Sequence, residues 1–197
     1  MKIIAFSGKK QSGKTTAVNY LASQCVSVDI IGFFSFAKEI IRRCFNVVGN
    51  QDLQETKDQM LDCGSTVREL QQRLGTDIFR GIDKCCWVNA YKSLVEDSWQ
   101  SDWPPKLTLT ADVRFPNEVK CIQDLGGHVI RLLRNPFNDQ HESETALDNM
   151  EQLSRSPEES AYYTDAIKFD AIIDNREMTI EEQNTAVWKL VTERGWI

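Results

Sequence analysis

The sequence predicts an α/β fold with a mainly parallel, five-stranded sheet flanked by helices, and three observations support this. Short apolar segments alternate with segments of helical period along the 197 residues, which is typical of a parallel sheet. The first apolar segment runs directly into a glycine-rich turn and then a helix-period segment. The composition, 41% hydrophobic and 26% charged, is that of a globular protein long enough to bury a core.

Periodicity and capping signals place the elements of the first half of the chain. Strands are predicted at residues 1–6 and 30–34. Helices are predicted after the glycine-rich turn and at residues 36–45, about 66–80 and about 84–99. Thr66 and Glu69 form a capping box at the start of the helix at 66–80. Its inward stripe is predicted to be Val67, Leu70, Leu74 and Ile78.

The second half continues the alternation. Three more strands are predicted, at residues 107–111, 129–133 and 171–173. Asp112 stands at the carboxyl end of the first of them, and a helix at 116–125 is closed by Gly126-Gly127. Thr179 and Glu182 form a capping box for the last helix. The inner face of that helix is predicted to be Ile180, Val187, Leu190 and Val191.

Composition excludes several classes of function. A net charge of -6 argues against a nucleic-acid groove, because backbone binding needs a surplus of Lys and Arg. The six cysteines form no Cys-x-x-Cys pair, which disfavours zinc and predicts small buried thiols in a reducing compartment. The apolar run at residues 3–6 is too short for a signal peptide, and no stretch approaches the roughly 20 apolar residues of a membrane helix. We therefore expect a cytoplasmic protein with no membrane partner.

Residues 8–15 carry the motif with the most specific chemistry. Gly-Lys-Lys-Gln-Ser-Gly-Lys-Thr fits G-x-x-x-x-G-K-[ST] between a predicted strand and a predicted helix, a context that disfavours a chance turn. Glycines let the backbone wrap a phosphate, and successive N–H groups at a helix N-terminus attract it. Lys14 is predicted to reach the β- and γ-phosphates of ATP, and Thr15 to ligate Mg²⁺. The predicted phosphate-binding residues are Gly8, Gln11, Ser12, Gly13, Lys14, Thr15 and Thr16.

Three further residues join Lys14 as predicted catalytic groups. Asp112 is expected near the magnesium ion, directly or through water, because ligands bind at the carboxyl edge of parallel strands; the alternative is a loop carboxylate. Arg114 lies two residues later, and its planar fork fits phosphate oxygens, unless it forms only a surface salt bridge. Arg134 opens a polar, lid-like excursion at about 134–165, from which it is predicted to fold over the phosphates.

A second group of residues is predicted to handle the acceptor. Arg68, Gln72 and Gly75 share a face of the helix at 66–80, where Gly75 would leave room for a base or sugar, and Arg80 lies on a neighbouring stripe. A solvated helix side is an equally good interpretation of any single arginine. His141, among the carboxylates of residues 142 and 144, is either a substrate contact or a solvated loop histidine. Aromatic residues that could stack on a base, or belong to the core, are Phe36, Trp87 and Tyr163.

Together these residues resemble the phage-type deoxynucleoside monophosphate kinase family. The resemblance runs from residue 1 to about residue 175. The phosphate motif is shared by many families, whereas the Asp112–Glu118 segment (Asp-Val-Arg-Phe-Pro-Asn-Glu) and the His-x-Ser-Glu of 141–144 are far more specific. The other matching segments are 35–37 and 66–77 with Arg80, Trp87 and Arg134. Residues 46–64 offer no matching motif.

The resemblance implies one P-loop NTPase domain of three layers, residues 1–197, with an acceptor-binding helical region at about 36–100 and a lid. It implies transfer of the γ-phosphate of ATP, with Mg²⁺, to a deoxynucleoside monophosphate, giving the diphosphate for phage DNA synthesis. Such enzymes are commonly homodimers, an expectation that rests on the resemblance alone. The resemblance strengthens the predicted roles of Arg68, Arg80, Arg114, Arg134 and His141. The full set of predicted acceptor-binding residues is Phe36, Arg68, Gln72, Gly75, Arg80, Trp87, Arg114, His141 and Glu144.

Two other functions stay open at this point. The first is a P-loop kinase for another small acceptor, such as dephospho-coenzyme A. The second is a nucleotide-operated switch that hydrolyses slowly and signals to a partner. The sequence has no Asn-Lys-x-Asp guanine-specificity motif, which weakens a GTPase version of that switch.

Overall fold

A five-stranded parallel sheet confirms the predicted P-loop NTPase class. The structure, a computed structural model, describes residues 1–137, 141–155 and 167–197. The strands are β1 Lys2–Gly8, β2 Val28–Ile30, β3 Leu107–Val113, β4 His128–Leu132 and β5 Ala171–Ile173. They lie in the order β2-β3-β1-β4-β5, and every neighbouring pair is parallel. Because β1 is central, the loop at its carboxyl end lies between the ends of β3 and β4, where α/β sheets bind ligands.

Helices α1 (Lys14–Gln24) and α9 (Ile180–Glu193) lie on one face of this sheet and α6 (Pro116–Asp124) lies on the other, which gives the predicted three layers. The other helices, in chain order, are α2 Ser35–Cys44, α3 Gln54–Lys57, α4 Val67–Gln72, α5 Cys86–Trp99, α7 Glu142–Thr145 and α8 Asp148–Arg155. Helices α1 and α9 pack on the face that holds Phe6 of β1. Side chains alternate along a strand, and on the opposite face Ile3 of β1 and Ile122 of α6 both adjoin Gly127.

The prediction of a strand at residues 30–34 is wrong beyond Ile30. Strand β2 is Val28–Ile30, and the rings of Phe33 and Phe34 pack on other partners. The Phe33 ring stacks on Tyr91 with centroids 4.2 Å apart, and the Phe34 ring meets the edge of Trp87 at 5.3 Å. Aromatic packing with the helices therefore replaces sheet pairing for these two residues.

The helix predicted at 66–80 changes its geometry midway. The capping box of Thr66 and Glu69 is confirmed at the start of α4. From Arg73 to Arg80, however, the backbone is a π-helix, whose wider turn shifts the side-chain phase. Ile78 is consequently exposed, which corrects its place in the inward stripe. Ile180 is also exposed, because it is the first residue of α9.

The chain separates into two compact units, one formed by residues 1–32 and 95–197 and the other by residues 33–94. The first unit contains the sheet. The second is helical and nearly coincides with the region predicted at about 36–100. Residues 141–155 of the predicted excursion form α7 and α8, whereas residues 138–140 and 156–166, including Tyr163, lie outside the described residues. In the part of the chain described, no helix has the length and apolarity to span a membrane.

The cysteines depart in part from the prediction of small buried thiols. Cys121 is buried in α6, but Cys44, Cys63 and Cys85 are exposed. All three belong to the helical second unit, where Cys44 ends α2 and the other two lie in turns.

Candidate active site

The phosphate loop lies at the predicted junction of β1 and α1, and two glycines shape it. A Cβ on Gly8 would lie 2.9 Å from the carbonyl oxygen of Leu132, which leaves no room for a side chain. Gly13 has a φ of 99°, and a Cβ there would lie 2.8 Å from Nε2 of Gln183. Gln11 also has a positive φ, 57°, so the backbone changes hand along the loop. Such alternation makes consecutive N–H groups converge on an anion.

Lys14 lies under this loop as a buried cation. Its ammonium donates to the carbonyl oxygens of Gly8 at 2.8 Å and Lys9 at 2.6 Å, and only 8% of the residue is exposed. Burial, and next the positive charge of Arg114, lower the pKa of Lys14 to about 7. Burial and the neighbouring guanidinium thus make the charged form of Lys14 costly, and the phosphates of a bound nucleotide would favour that charged form.

A buried carboxylate connects the loop to Arg114. Arg114 follows β3, and its Nη1 donates to Oε1 of Glu144 on α7. The other carboxylate oxygen, Oε2, accepts the backbone N–H of Lys10 at 2.7 Å. Arg114 and Glu144, both predicted from the sequence, therefore lie together at the phosphate loop.

Ion pairs also attach helix α8 to the phosphate loop and to the sheet. The ammonium of Lys9 lies 2.6 Å from the carboxylate of Asp148. Arg131, on β4 and almost fully buried, donates to Oγ of Ser7 at 3.0 Å and to the carboxylate of Glu151 at 2.9 Å. None of these five residues was predicted. The sequence signal for them was Arg131 itself, a charged residue inside the apolar segment 129–133. A buried arginine requires partners, so its position indicated that acidic or polar groups lie beside it.

The back of the phosphate loop is braced by two buried amides, which the sequence analysis also missed. Nδ2 of Asn175, in the β5–α9 connection, donates to the carbonyl oxygen of Ser12 at 2.7 Å and to Oε1 of Gln183 at 2.6 Å. Nε2 of Gln183 donates in turn to the carbonyl oxygen of Gly13 at 3.1 Å. Gln183 could have been noticed in the sequence, because it is a polar residue on the predicted inner face of the last helix.

Arg134 and His141 form hydrogen bonds that involve backbone groups, which their predicted roles toward the substrate did not include. The backbone N–H of Arg134 donates to Oδ1 of Asn175, and its guanidinium donates to the carbonyl oxygens of Asn175 and Met178. His141 caps α7, where its Nδ1 accepts the N–H of Ser143 at 3.2 Å. Both residues support backbone here, and their roles toward substrate stay predictions.

Thr15 and Asp112 offer the oxygen ligands that Mg²⁺ prefers. Thr15 is exposed in the first turn of α1. The strand predicted to end at Ala111 continues to Val113, and the register of β3 against β1 shifts around Asp112. Bulges of this kind redirect side chains beside active sites. The carboxylate of Asp112 raises the pKa of Lys14 slightly against the effect of burial, which places it within electrostatic range of the loop.

The other predicted acceptor residues belong to the helical second unit. Arg68 pairs with Asp58 at 3.1 Å. Trp87 is buried, and its Nε1 donates to the carbonyl oxygen of Gly75 at 2.8 Å, so its ring packs within the unit. A Cβ on Gly75 would lie 2.7 Å from the Phe34 ring, which corrects the prediction that Gly75 leaves room for a base. The remaining members, of which the first two are exposed, are Phe36, Gln72 and Arg80.

Gly75→Ala is expected to destabilise the protein by about 1–2 kcal/mol, because displacing the Phe34 ring costs more than the helix propensity gained. Gly81→Ala is the matched control. Gly81 has ordinary helical dihedrals, and among the residues that the structure describes none lies within 4 Å of a Cβ added there. Gly81→Ala should therefore raise the free energy of unfolding by roughly 0.5–1 kcal/mol. Urea unfolding measures both, and a stabilised Gly75→Ala would contradict the packing argument.

Comparison with known proteins points to one family. Residues 31–153 match the family described as deoxynucleotide monophosphate kinase. A protein of Acanthamoeba polyphaga mimivirus that carries the family's name is 32% identical over 167 residues, which span 75% of this chain and 82% of the viral protein.

Solved structures show more distant likeness. Shikimate kinase from Acinetobacter baumannii is 13% identical, with a TM-score of 0.49 over 98% of this chain and 93% of its own. Shikimate kinase from Bacteroides thetaiotaomicron is 14% identical, with a TM-score of 0.44 over 98% of each chain. These scores add nothing to the fold assignment, which rests on the strand order and the phosphate loop. The extent of the sequence matches is decisive: this chain belongs to the deoxynucleotide monophosphate kinase family.

Proposed function

We propose that the protein transfers the γ-phosphate of ATP to a deoxynucleoside 5′-monophosphate, giving ADP and the deoxynucleoside diphosphate for DNA synthesis. The observation that carries the proposal is a phosphate loop with a buried lysine, joined through one carboxylate to Arg114. Membership of the family supplies the acceptor class. A cation beside the loop neutralises the charge that develops on the transferred phosphate, and the family match favours a kinase over a nucleotide switch.

The reaction is an in-line displacement at the γ-phosphorus. An oxygen of the acceptor phosphate forms the new P–O bond while the bond to the β–γ bridging oxygen breaks, and ADP leaves. That acceptor oxygen is ionised at neutral pH, so no strong general base is required. Catalysis then depends on positioning and on neutralising charge.

The residues divide between these tasks. The loop amides bind the β- and γ-phosphates, and Lys14 neutralises their charge. Thr15 and Asp112 would hold Mg²⁺, which when bound supplies further charge neutralisation on the phosphates. Arg114 faces the transferred group, and Arg134 is proposed to assist it. The acceptor is assigned to the helical second unit, through Phe36, Arg68, Gln72 and Arg80, with His141 as a further candidate.

A coupled assay of ADP release tests the proposal directly. ATP is offered with each deoxynucleoside monophosphate, each ribonucleoside monophosphate, dephospho-coenzyme A, or no acceptor. At least one deoxynucleoside monophosphate should raise the rate at least about tenfold above ATP alone. Turnover with dephospho-coenzyme A alone would assign another acceptor, and a slow rate independent of any acceptor would favour a switch.

Arg114→Ala is expected to lower kcat/KM for the acceptor about 100-fold, the scale of a lost charge-assisted interaction with phosphate. The dissociation constant of ATP should change little. Arg114→Lys keeps the charge but loses the fork, so it should recover only part of the loss. Steady-state kinetics with both substrates varied, and calorimetry for ATP, separate these effects. An effect on ATP affinity alone would place Arg114 on the donor side.

ATP binding is expected to take up close to one proton at pH 8. In the free protein the pKa of Lys14 is about 7, so the amine is mostly neutral at that pH. Phosphate charges beside it raise this pKa, and affinity should therefore fall as pH rises above 7. Calorimetry in two buffers of different ionisation enthalpy measures the uptake. Lys14→Met should abolish it, and zero uptake by the wild type would contradict the assignment.

A further inference from the structure

Glu144 binds protein groups through both of its carboxylate oxygens. Its side chain is only 6% exposed, with Arg114 at Oε1 and the N–H of Lys10 at Oε2, 2.7 Å away. A buried carboxylate is costly unless it is paired in this manner. With both oxygens engaged, Glu144 is poorly placed to bind the acceptor, which is the role predicted for it from the sequence.

The contact with Arg114 uses one end of the guanidinium. In the described residues, side-chain hydrogen bonds of Arg114 involve Nη1 alone, which reaches Glu144 and, at 3.5 Å, Oγ of Ser143. The side chain is still 34% exposed. An arginine has five N–H donors in a fixed plane, so fixing one end orients the other donors.

The preceding residues hold the carboxylate in place. Ser143 Oγ lies 2.8 Å from Nδ1 of His141, and the same imidazole nitrogen caps α7. The carbonyl oxygen of Glu144 accepts the ammonium of Lys9 at 2.5 Å. Backbone and side chain of Glu144 are thus both attached to the phosphate loop.

We propose that Glu144 is a positioning residue, which fixes Arg114 against the phosphate loop so that the exposed part of the guanidinium meets the transferred phosphate. Glu144 then acts through Arg114 and does not itself bind the acceptor. The expected loss of turnover rests on the proposed function. The restraint of the Arg114 side chain by Glu144 does not depend on it. Pre-organised charge of this kind lowers the barrier because it needs no rearrangement during the reaction.

A double-mutant cycle tests the proposal. Glu144→Gln alone should lower kcat about 30- to 100-fold and change the dissociation constant of ATP less than about threefold. In an Arg114→Ala background, the same substitution should cost less than about threefold. Glu142→Gln, at an exposed position of α7, is the control and should keep the kcat and the ATP dissociation constant of the wild type. An equal loss in both backgrounds, or no loss in the wild-type background, would overturn the proposal.

A second readout does not depend on turnover. The Nε–H signal of Arg114 in nuclear magnetic resonance, assigned by its loss in Arg114→Lys, should report a restrained side chain in the wild type and an averaged one in Glu144→Gln. Equal restraint in both would refute the positioning role. If Glu144→Gln does not fold, Glu144→Asp, which withdraws the carboxylate by one methylene, carries the same measurements. A wild type without acceptor-dependent turnover would refute the proposed function, and the resonance experiment would still decide this inference.

Discussion

Lys14→Met is expected to lower acceptor-dependent turnover at least about 1,000-fold without loss of the fold. The ammonium is the buried cation of the phosphate loop, and the methionine side chain keeps its packing but carries no charge. The variant should be at least as stable as the wild type, because a buried charge with depressed pKa opposes folding. The residue would then contribute to activity at the expense of stability.

The sign of this stability effect depends on pH. The pKa of Lys14 falls from 10.5 to about 7 on folding, so the cost of burying the charge is greatest below pH 7 and fades toward pH 10.5. Lys14→Met should therefore gain most in melting temperature near pH 6. Lys120→Met, at an exposed site on α6, is the control and should retain turnover. Normal turnover by Lys14→Met would remove Lys14 from the mechanism.

Local signals predicted much of the fold. The capping boxes of Thr66 with Glu69 and Thr179 with Glu182 are both present, because each depends on residues three positions apart. The phosphate loop was predictable for the same reason, since its glycines and lysine act within eight residues. Strand β5 occupies the predicted residues 171–173.

Non-local contacts were beyond what the sequence pattern could predict. Phe33 stacks on Tyr91, which is distant in sequence, and does not extend strand β2. The π-helical segment changes the direction of the side chains that follow, so Ile78 is exposed although regular helical periodicity predicts it to be buried. Within the site, Arg131 could be noticed as a charge in an apolar strand, but its partner Glu151 could not be chosen among many acidic residues. Sequence spacing fixes residues on one element, whereas ion pairs between elements need the tertiary structure.

Asn175→Ala is expected to destabilise the protein by about 3 kcal/mol. The substitution leaves three groups without their partner: the buried carbonyl oxygen of Ser12, the buried Oε1 of Gln183 and the half-buried N–H of Arg134. Each group costs about 1 kcal/mol or more when it is left unpaired. The melting temperature should fall by about 6–12 °C, whereas Asn89→Ala, at an exposed site on α5, should change it little.

The same substitution should weaken ATP binding about tenfold at temperatures where the variant is fully folded. Ser12 lies within the phosphate loop, and loss of its carbonyl anchor lets the neighbouring N–H groups depart from the arrangement that binds phosphate. Asn175→Asp separates the contributions, because it keeps the acceptor for Arg134 but loses both donors and sets a carboxylate against the Ser12 carbonyl. Its ATP affinity should fall at least as far. Calorimetry that finds wild-type affinity in both variants would show that the loop holds its shape without this brace.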